Sequence, residues 1–260
     1  MANVRSLGRG AGLNNLRMSD HSFLPAWREQ SLGRRLFLRV SAASAASVAL
    51  VAAGCTTTTP TPAVADPHQL TLPAGNPGLL YYAYLLALAQ ATTYQQVVTA
   101  PPVDLTANEL AIFTDLRDHE VIYRELIRYA IDPTGVTVLF PTDFGFNLTS
   151  FTLTTRAGVL AAAKQLEDLT TAAYPPLLSV LTTTLQQTLL LKMSSVHARH
   201  AATVRDLLTP GSFANDDVVQ PVGHLLAGQA ITIAPVDAMT ALAPFFAPYV
   251  ISVANLPVPV

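Results

Sequence analysis

Three short stretches of the chain carry acidic and imidazole side chains at helical spacing: residues 118–123, 165–168 and 196–200. Each stretch lies inside a segment with helical periodicity, and residues three apart on a helix share a face. Helix bundles build metal sites by pointing Glu from some helices, and Glu-x-x-His pairs from others, into a common core. The sequence therefore predicts a helix bundle whose metal site is altered.

The first 55 residues have the pattern of an export leader. Arg34 and Arg35 precede an apolar run at 40–54 that is rich in Ala, Ser and Val, which is typical of a twin-arginine signal. The run is too short for a membrane span, which needs roughly 20 predominantly apolar residues. We therefore expect residues 1–55 to engage the twin-arginine export machinery and the mature protein to be periplasmic or held in the bacterial cell envelope.

The only cysteine, Cys55, follows small residues and precedes a Thr- and Pro-rich tether at 56–76. This context resembles a bacterial lipoprotein cleavage box, which predicts a lipid anchor on Cys55. Ala52 stands where such a box usually has a larger aliphatic residue, so cleavage elsewhere is one alternative. A buried thiol is another, because free cysteine is often a core residue. With a single cysteine there is no disulfide framework, and stability must come from a packed core.

The predicted mature domain is acidic. Of the 15 Lys and Arg residues seven precede Cys55, and of the 17 Asp and Glu residues two do, which leaves a formal charge of −7 for residues 56–260. Nucleic-acid binding needs clustered Lys and Arg on one face, so this class of partner is not expected. Peripheral binding to anionic lipid by charge alone is disfavoured too. Roughly 205 residues suffice for one domain with a sizeable core.

The chain after the tether has the pattern of helices separated by Pro- and Thr-rich connectors. The first helical segment is apolar nearly all round, as a buried helix should be. A capping box at 106–109 opens the second. The predicted helices are residues 77–98, 106–131, 155 to beyond 174, 185–208 and a short fifth helix at 235–249.

Two adjacent prolines lie inside the predicted third helix. Pro175 and Pro176 are expected to kink or interrupt this helix, because neither has the backbone N–H that a helix needs.

The connection between the second and third helices is long. Residues 136–153 have no helical period, so a long connection with some extended pairing is expected. Such a connection lets helices two and three run in the same direction. The sequence thus predicts an all-α four-helix bundle at 77–210 and an extension at 211–260 that carries the fifth helix.

Across residues 79–208 the sequence resembles bacterial ferritin-like proteins related to desiccation-associated plant proteins. The resemblance rests on four segments, 87–94, 117–125, 156–174 and 197–202, of which the last two are the most specific. It implies a ferritin-like four-helix bundle with a long crossover between helices two and three. The leader and the short terminal helix also fit exported members of this family.

Carried over residue by residue, the resemblance implies a damaged di-metal site. The first-helix carboxylate of the family corresponds to Ala87, and the next turn offers only Gln90. On the second helix the Glu-x-x-His pair appears as Glu120 and Tyr123, so a phenol replaces an imidazole. Gln90 and Tyr123 are therefore expected beside the ligands rather than among them.

The other half of the implied site comes from the third and fourth helices. Glu167 matches the third-helix carboxylate, and the Glu-x-x-His pair of the fourth helix has become His197 and His200. The predicted ligands are thus Glu120, Glu167, His197 and His200. Adjacent residues on a helix point in different directions, so His119 is expected to face away from this site.

The ligand count leaves two classes of function open. Two carboxylates compensate a second divalent ion poorly in a low-dielectric core, where charge must be paired. One reading is an exported scaffold or stress-associated envelope protein that binds no metal. The other is a metal-binding protein or metal-dependent oxidoreductase with one ion, because two imidazoles and two carboxylates suit iron, zinc or manganese. The sequence contains no nucleophile elbow, phosphate loop or dinucleotide fingerprint that would suggest a third class.

Overall fold

The computed structural model describes residues 66–257. The predicted leader, including Arg34 and Arg35, and the predicted lipid attachment site Cys55 lie outside the described residues. The architecture of the described part is all-α, with four long helices and a short fifth helix, as predicted; one pair of very short strands, which was not predicted, accompanies them. The elements are β1 Gln69–Thr71, α1 Gly75–Thr99, α2 Ala107–Ile131, α3 Arg156–Val180, α4 Thr184–Leu208, α5 Pro235–Phe246 and β2 Val250–Ser252.

The predicted capping box forms at the start of α2. The Thr106 hydroxyl accepts a hydrogen bond from the Glu109 backbone N–H at 3.2 Å, and Oε2 of Glu109 accepts one from the Thr106 backbone N–H at 2.9 Å. Glu109 also accepts a 2.7 Å hydrogen bond from Nε of Arg156, the first residue of α3. Helices α2 and α3 therefore begin at the same end of the bundle and run in the same direction, which the long crossover permits.

The core of the bundle lies around α1. This helix packs against both α2 and α3, and α4 packs against α3. More than half of the residues of α1 are buried, on every side of the helix, as its apolar sequence predicts. Each of the other three long helices buries the residues along one of its faces. These faces point into the bundle, and the polar faces of the three helices point outward. Buried side chains at the centre include Leu79, Tyr82, Leu86, Ile127, Leu166, Tyr174, Leu190 and Met193.

The crossover between α2 and α3 is held by aromatic side chains instead of strand pairing. No strand occurs in residues 132–155, so the expected extended pairing there is wrong. Phe146 stacks on Phe245 of α5 with ring centroids 5.0 Å apart, and Phe151 lies 4.6 Å from the same ring. Phe144 stacks on Phe246 at 5.4 Å. Burying these rings stabilises an irregular backbone that makes few ladder hydrogen bonds.

Helix α3 continues through its two prolines to Val180, so an interruption at that point is wrong. Pro176 cannot donate to the carbonyl four residues before it, which belongs to Ala172. That carbonyl accepts a 3.0 Å hydrogen bond from the backbone N–H of Ile233 instead. A partner from the C-terminal extension thus replaces the missing helical donor.

Two further contacts, one near each end of the C-terminal extension, join it to the rest of the fold. Strand β2 pairs in parallel with β1, with Leu70 opposite Ile251. Buried Arg205 of α4 donates from Nε to Asp168 at 2.6 Å and from Nη1 to Asp217 in the extension at 3.0 Å. Among residues 66–257, no helix combines the length and the apolar character that crossing a membrane requires.

Candidate metal centre

Four side chains from three helices meet inside the bundle. Glu120 comes from α2, Glu167 from α3, and His197 and His200 from α4, and all four residues are buried. Each offers one ligand atom, and these atoms all lie within 4.8 Å of one another. The structure therefore brings together the four residues that the sequence named as candidate ligands.

Local helix geometry explains why each side chain faces inward. Glu120 belongs to the buried stripe of α2, together with Phe113, Leu116 and Ile127 at spacings of three, four and seven residues. His197 and His200 are three apart on α4 and so share one face. Burial of the apolar members of each stripe carries the polar members into the core.

The two imidazoles lie against the two carboxylates. Nδ1 of His197 is 3.2 Å from Oε2 of Glu167, within hydrogen-bond distance, and 3.5 Å from Oε1 of Glu120. Nδ1 of His200 is 3.4 Å from Oε1 of Glu120 and 3.4 Å from Oε1 of Glu167. Both rings thus direct Nδ1 to the same point between the carboxylates.

Several polar atoms of this cluster have no hydrogen-bond partner among the described residues. They are both carboxylate oxygens of Glu120, Nε2 of His197 and Nδ1 of His200. Buried polar atoms nearly always have a partner, because leaving one unpaired costs roughly 1–3 kcal/mol. Lone pairs of Glu120 and His200 that converge and lack partners fit the donor set of a cation site.

Burial and mutual attraction shift the pKa values within the cluster. Burial raises the pKa of Glu120 above its ordinary value, and the nearby imidazoles only partly oppose this. Burial acts on Glu167 in the same direction, but its hydrogen bond with His197 and the proximity of His200 outweigh it and lower its pKa to about 2. Burial alone would lower the pKa of His200, whereas the two carboxylates raise it to about 9. Without a metal the cluster therefore pairs imidazolium with carboxylate.

Helix α1 contributes a phenol to the cluster. The Tyr94 hydroxyl donates a 2.7 Å hydrogen bond to Oε1 of Glu167, and both residues are fully buried. Burial and the charge of Glu167 raise the pKa of Tyr94 well above its ordinary value, so it stays a neutral donor. Tyr94 was not among the predicted site residues, because no local signal in the sequence indicates this contact.

The residues expected beside the ligands also lie in the core. Ala87 and Gln90 precede Tyr94 by seven and four residues, so helical geometry places them on the same face of α1. Both are fully buried, and neither polar atom of the Gln90 amide has a partner among the described residues. Helix α1 thus presents a methyl group and an unpaired amide where the resemblance implies a carboxylate.

Two tyrosines enclose the His197 ring. Tyr174 stacks on it with centroids 5.1 Å apart and planes at 29°, and Tyr123 lies 5.5 Å away at 60°. Burial raises the pKa of Tyr123 to about 12, so this phenol is neutral and a poor metal ligand. Tyr123 therefore lies beside the candidate ligand His197, and its role at the site stays a prediction.

The expectation that His119 faces away from the site is wrong. Its Nδ1 lies 3.0 Å from Nε2 of His200, within hydrogen-bond distance. His200 lies at the periphery of the cluster. The side of its ring that carries Nε2 faces away from the carboxylates, toward the line where α2 and α4 meet, and His119 lies there. His68 and His224 take no part in the cluster, since it contains His197 and His200 alone among the histidines of the described residues.

Fold and site together define a class of protein: a four-helix bundle with a long crossover and a buried Glu/Glu/His/His group able to hold a metal ion. A family model described as a ferritin-like domain matches residues 76–210, about half of the chain. The protein therefore belongs to the ferritin-like family. No curated protein is similar enough to the chain to count as a match.

Proposed function

We propose that this ferritin-like protein binds one divalent metal ion through Glu120, Glu167, His197 and His200. The observation that carries the proposal is the convergence of four buried ligand atoms within 4.8 Å of one another. Two carboxylates and one divalent ion balance in charge, which a buried site requires. A second ion would leave two positive charges unpaired, and α1 offers Ala87 rather than a carboxylate to offset them.

The donor set restricts which ion binds. Imidazole together with carboxylate suits iron, zinc and manganese, and a soft thiolate-seeking ion finds no sulfur donor among these residues. A redox-active ion in this place would supply electron transfer, whereas zinc has no redox chemistry and would supply structural stabilisation or Lewis-acid chemistry. We propose an iron, zinc or manganese site. Whether the protein is an oxidoreductase then depends on which of these ions it takes up.

Metal content of the purified mature domain tests this proposal. The protein would be refolded with iron, zinc and manganese in turn, dialysed, and analysed for metal per chain. We expect a ratio near one, and we expect Glu120→Gln to abolish it because a neutral amide removes one of two charges. Glu125→Gln is the matched control, since Glu125 lies on the same helix but is exposed and pairs with Arg124. Equal metal content in the two variants, or none in the wild type, would contradict the proposal.

The second candidate function is a metal-free scaffold, and a specific observation favours it. Glu167 already accepts hydrogen bonds from Tyr94 and His197, so one of the two carboxylates is satisfied by the protein itself. Fully paired buried networks help to specify one core arrangement. In this case a wild type purified without metal would be as stable to heat as one incubated with metal. A rise of the melting temperature with zinc would exclude the scaffold reading.

We also propose that the protein is exported and lipid-anchored in the bacterial cell envelope. The support is sequence alone: the Arg34–Arg35 pair with its apolar run, and Cys55 before a Thr- and Pro-rich tether. Changing both arginines to Lys should leave the precursor in the cytoplasm. Cys55→Ser should release the protein from the membrane fraction. Unchanged secretion, or detergent-phase partitioning of Cys55→Ser, would contradict the respective step.

The physiological role that we propose is protection under stress, as a member of the desiccation-related branch of the family. It rests on the four segments of resemblance, above all 156–174 and 197–202. A strain lacking the protein should survive drying less well than its parent. Complementation with the wild type and with Glu120→Gln would then show whether protection needs the metal site or only the bundle.

A further inference from the structure

His119 and His200 form a contact across the seam between α2 and α4. Nδ1 of His119 and Nε2 of His200 are 3.0 Å apart, the ring centroids are 5.2 Å apart, and the ring planes differ by only 4°. A short N···N distance between nearly coplanar rings is the geometry of a hydrogen bond along the ring edges. The contact therefore fixes the rotation of the His200 ring about its Cβ–Cγ bond.

The other edge of the His200 ring faces the carboxylates. Its Nδ1 lies 3.4 Å from Oε1 of Glu120 and 3.4 Å from Oε1 of Glu167. Turning the ring over would exchange the two edges, and Nδ1 would leave the point where the other ligand atoms converge. The orientation of the His200 ring therefore decides which atom faces the cluster: the nitrogen Nδ1, which can bind a metal, or a ring carbon, which cannot.

We infer that His119 is a positioning residue for the candidate metal centre: it pairs with Nε2 of His200 and thereby holds Nδ1 of that ring toward Glu120 and Glu167. This inference rests on the proposed metal-binding function. Histidines that ligate metals almost always donate their other ring N–H to a partner, which fixes both ring orientation and tautomer. His119 occupies that partner position and accepts at Nδ1.

The setting of His119 suits this role. Its ring stacks on Tyr123, one turn further along α2, with planes at 20° and centroids 6.3 Å apart. Stacking restricts the side-chain rotation of an otherwise exposed residue, so its Nδ1 stays directed at α4. Tyr123 in turn contacts the His197 ring, so both histidine ligands are held from the same side of α2.

Two variants of His119 test the inference by metal affinity. His119→Phe keeps a flat ring that can stack on Tyr123 but has no acceptor, and His119→Gln keeps an acceptor without the ring. Titration with Co²⁺, followed by its visible absorption, should show an affinity about 10–100-fold lower for His119→Phe. His119→Gln should recover most of that loss. Equal affinity of His119→Phe and wild type, or equal loss in both variants, would overturn the inference.

A second measurement needs no metal. In ¹⁵N-labelled, metal-free wild type, a scalar coupling across the hydrogen bond should connect Nε2 of His200 with Nδ1 of His119, and its absence would overturn the inference. If the wild type shows this coupling but takes up no Co²⁺, the orientation of His200 stands and the metal-binding proposal fails. If the wild type binds Co²⁺ and the coupling is absent, the metal-binding proposal stands and the role of His119 fails.

Discussion

The Tyr94 hydroxyl lies 2.7 Å from Oε1 of Glu167 and donates a hydrogen bond to it, which joins α1 to α3 inside the core. Helix α1 has Ala87 where the family resemblance implies a ligand, so this phenol is its polar link to the candidate metal centre. The same carboxylate receives His197 at its other oxygen, 3.2 Å away. Glu167 is therefore oriented from two helices at once.

Tyr94→Phe should destabilise the metal-free protein, because it leaves a buried carboxylate oxygen without its donor. Hydrogen bonds to charged groups contribute about 1.5–3 kcal/mol, and we expect a loss of that size in the free energy of unfolding. Tyr174→Phe is the matched control, since Tyr174 is equally buried but its hydroxyl has no hydrogen-bond partner among the described residues. Urea denaturation of the wild type and of the two variants measures these differences in the free energy of unfolding. Similar losses in both variants would mean that the Tyr94 contact adds nothing specific.

Stability of the metal-free protein should fall between pH 6.5 and 9. The pKa of His200 rises on folding from its ordinary value of 6.5 to about 9, so the folded state binds the proton more tightly than the unfolded state. This contribution is complete below pH 6.5 and is lost as the pH rises through about 9. Its size is on the order of 3 kcal/mol. His197, whose pKa is also raised, acts with the same sign.

Denaturation midpoints across this pH interval check the prediction, and His200→Gln should flatten the slope because it removes one titrating group. Metal affinity should change in the opposite direction, rising with pH, since a metal competes with the proton for Nδ1. Stability that is constant or increases from pH 6.5 to 9 would contradict the assignment of a protonated His200 in the folded core.

Two substitutions of Gln90 distinguish the effect of charge from the effect of packing on α1. Gln90→Leu should leave the stability of the metal-free protein unchanged or raise it, because the wild-type amide is fully buried without a partner. Gln90→Glu should destabilise the metal-free protein by about 3–5 kcal/mol, the cost of an uncompensated buried charge. It should also bind divalent metal more tightly than wild type. Thermal melts with and without zinc measure both effects, and a Gln90→Glu variant insensitive to zinc would place this face of α1 away from the site.

Leu166→Ala should cost about 2–5 kcal/mol in the free energy of unfolding through the cavity it leaves. Leu166 precedes Glu167 on α3 and is only 1% exposed, so little relaxation toward solvent is available. Leu169→Ala is the control, because that side chain is partly exposed and should lose less. If the two variants were equally stable, the face of α3 around Glu167 would be less tightly packed than the structure shows.

Much of the helical architecture was predictable from local pattern. The second helix begins at its capping box, and the fourth was expected at 185–208 and is found at Thr184–Leu208. The reason is that caps and apolar periodicity act within one or two turns and need no tertiary partner. Likewise, the four side chains that meet in the core were named from their spacing and the family resemblance. Their role as ligands stays a prediction, as does the division of the chain into leader, tether, bundle and extension.

Prediction failed where a distant segment completes a local arrangement. Helix α3 passes through Pro176 because Ile233, far away in the sequence, donates to the carbonyl that the proline leaves free. The connection at 132–155 stays without strands because its aromatic rings pack on α5 instead. Neither partner is visible from the sequence around the feature.

The sequence by itself determined where the helices lie and which faces are buried, since both follow from spacing along a single helix. Only the tertiary structure decided which polar groups meet across helices, such as Tyr94 with Glu167 and His119 with His200. A helical pattern specifies the direction of a side chain relative to its own axis. The rotation and offset of the neighbouring helix, which determine whether two such side chains touch, come from the packing of the whole core.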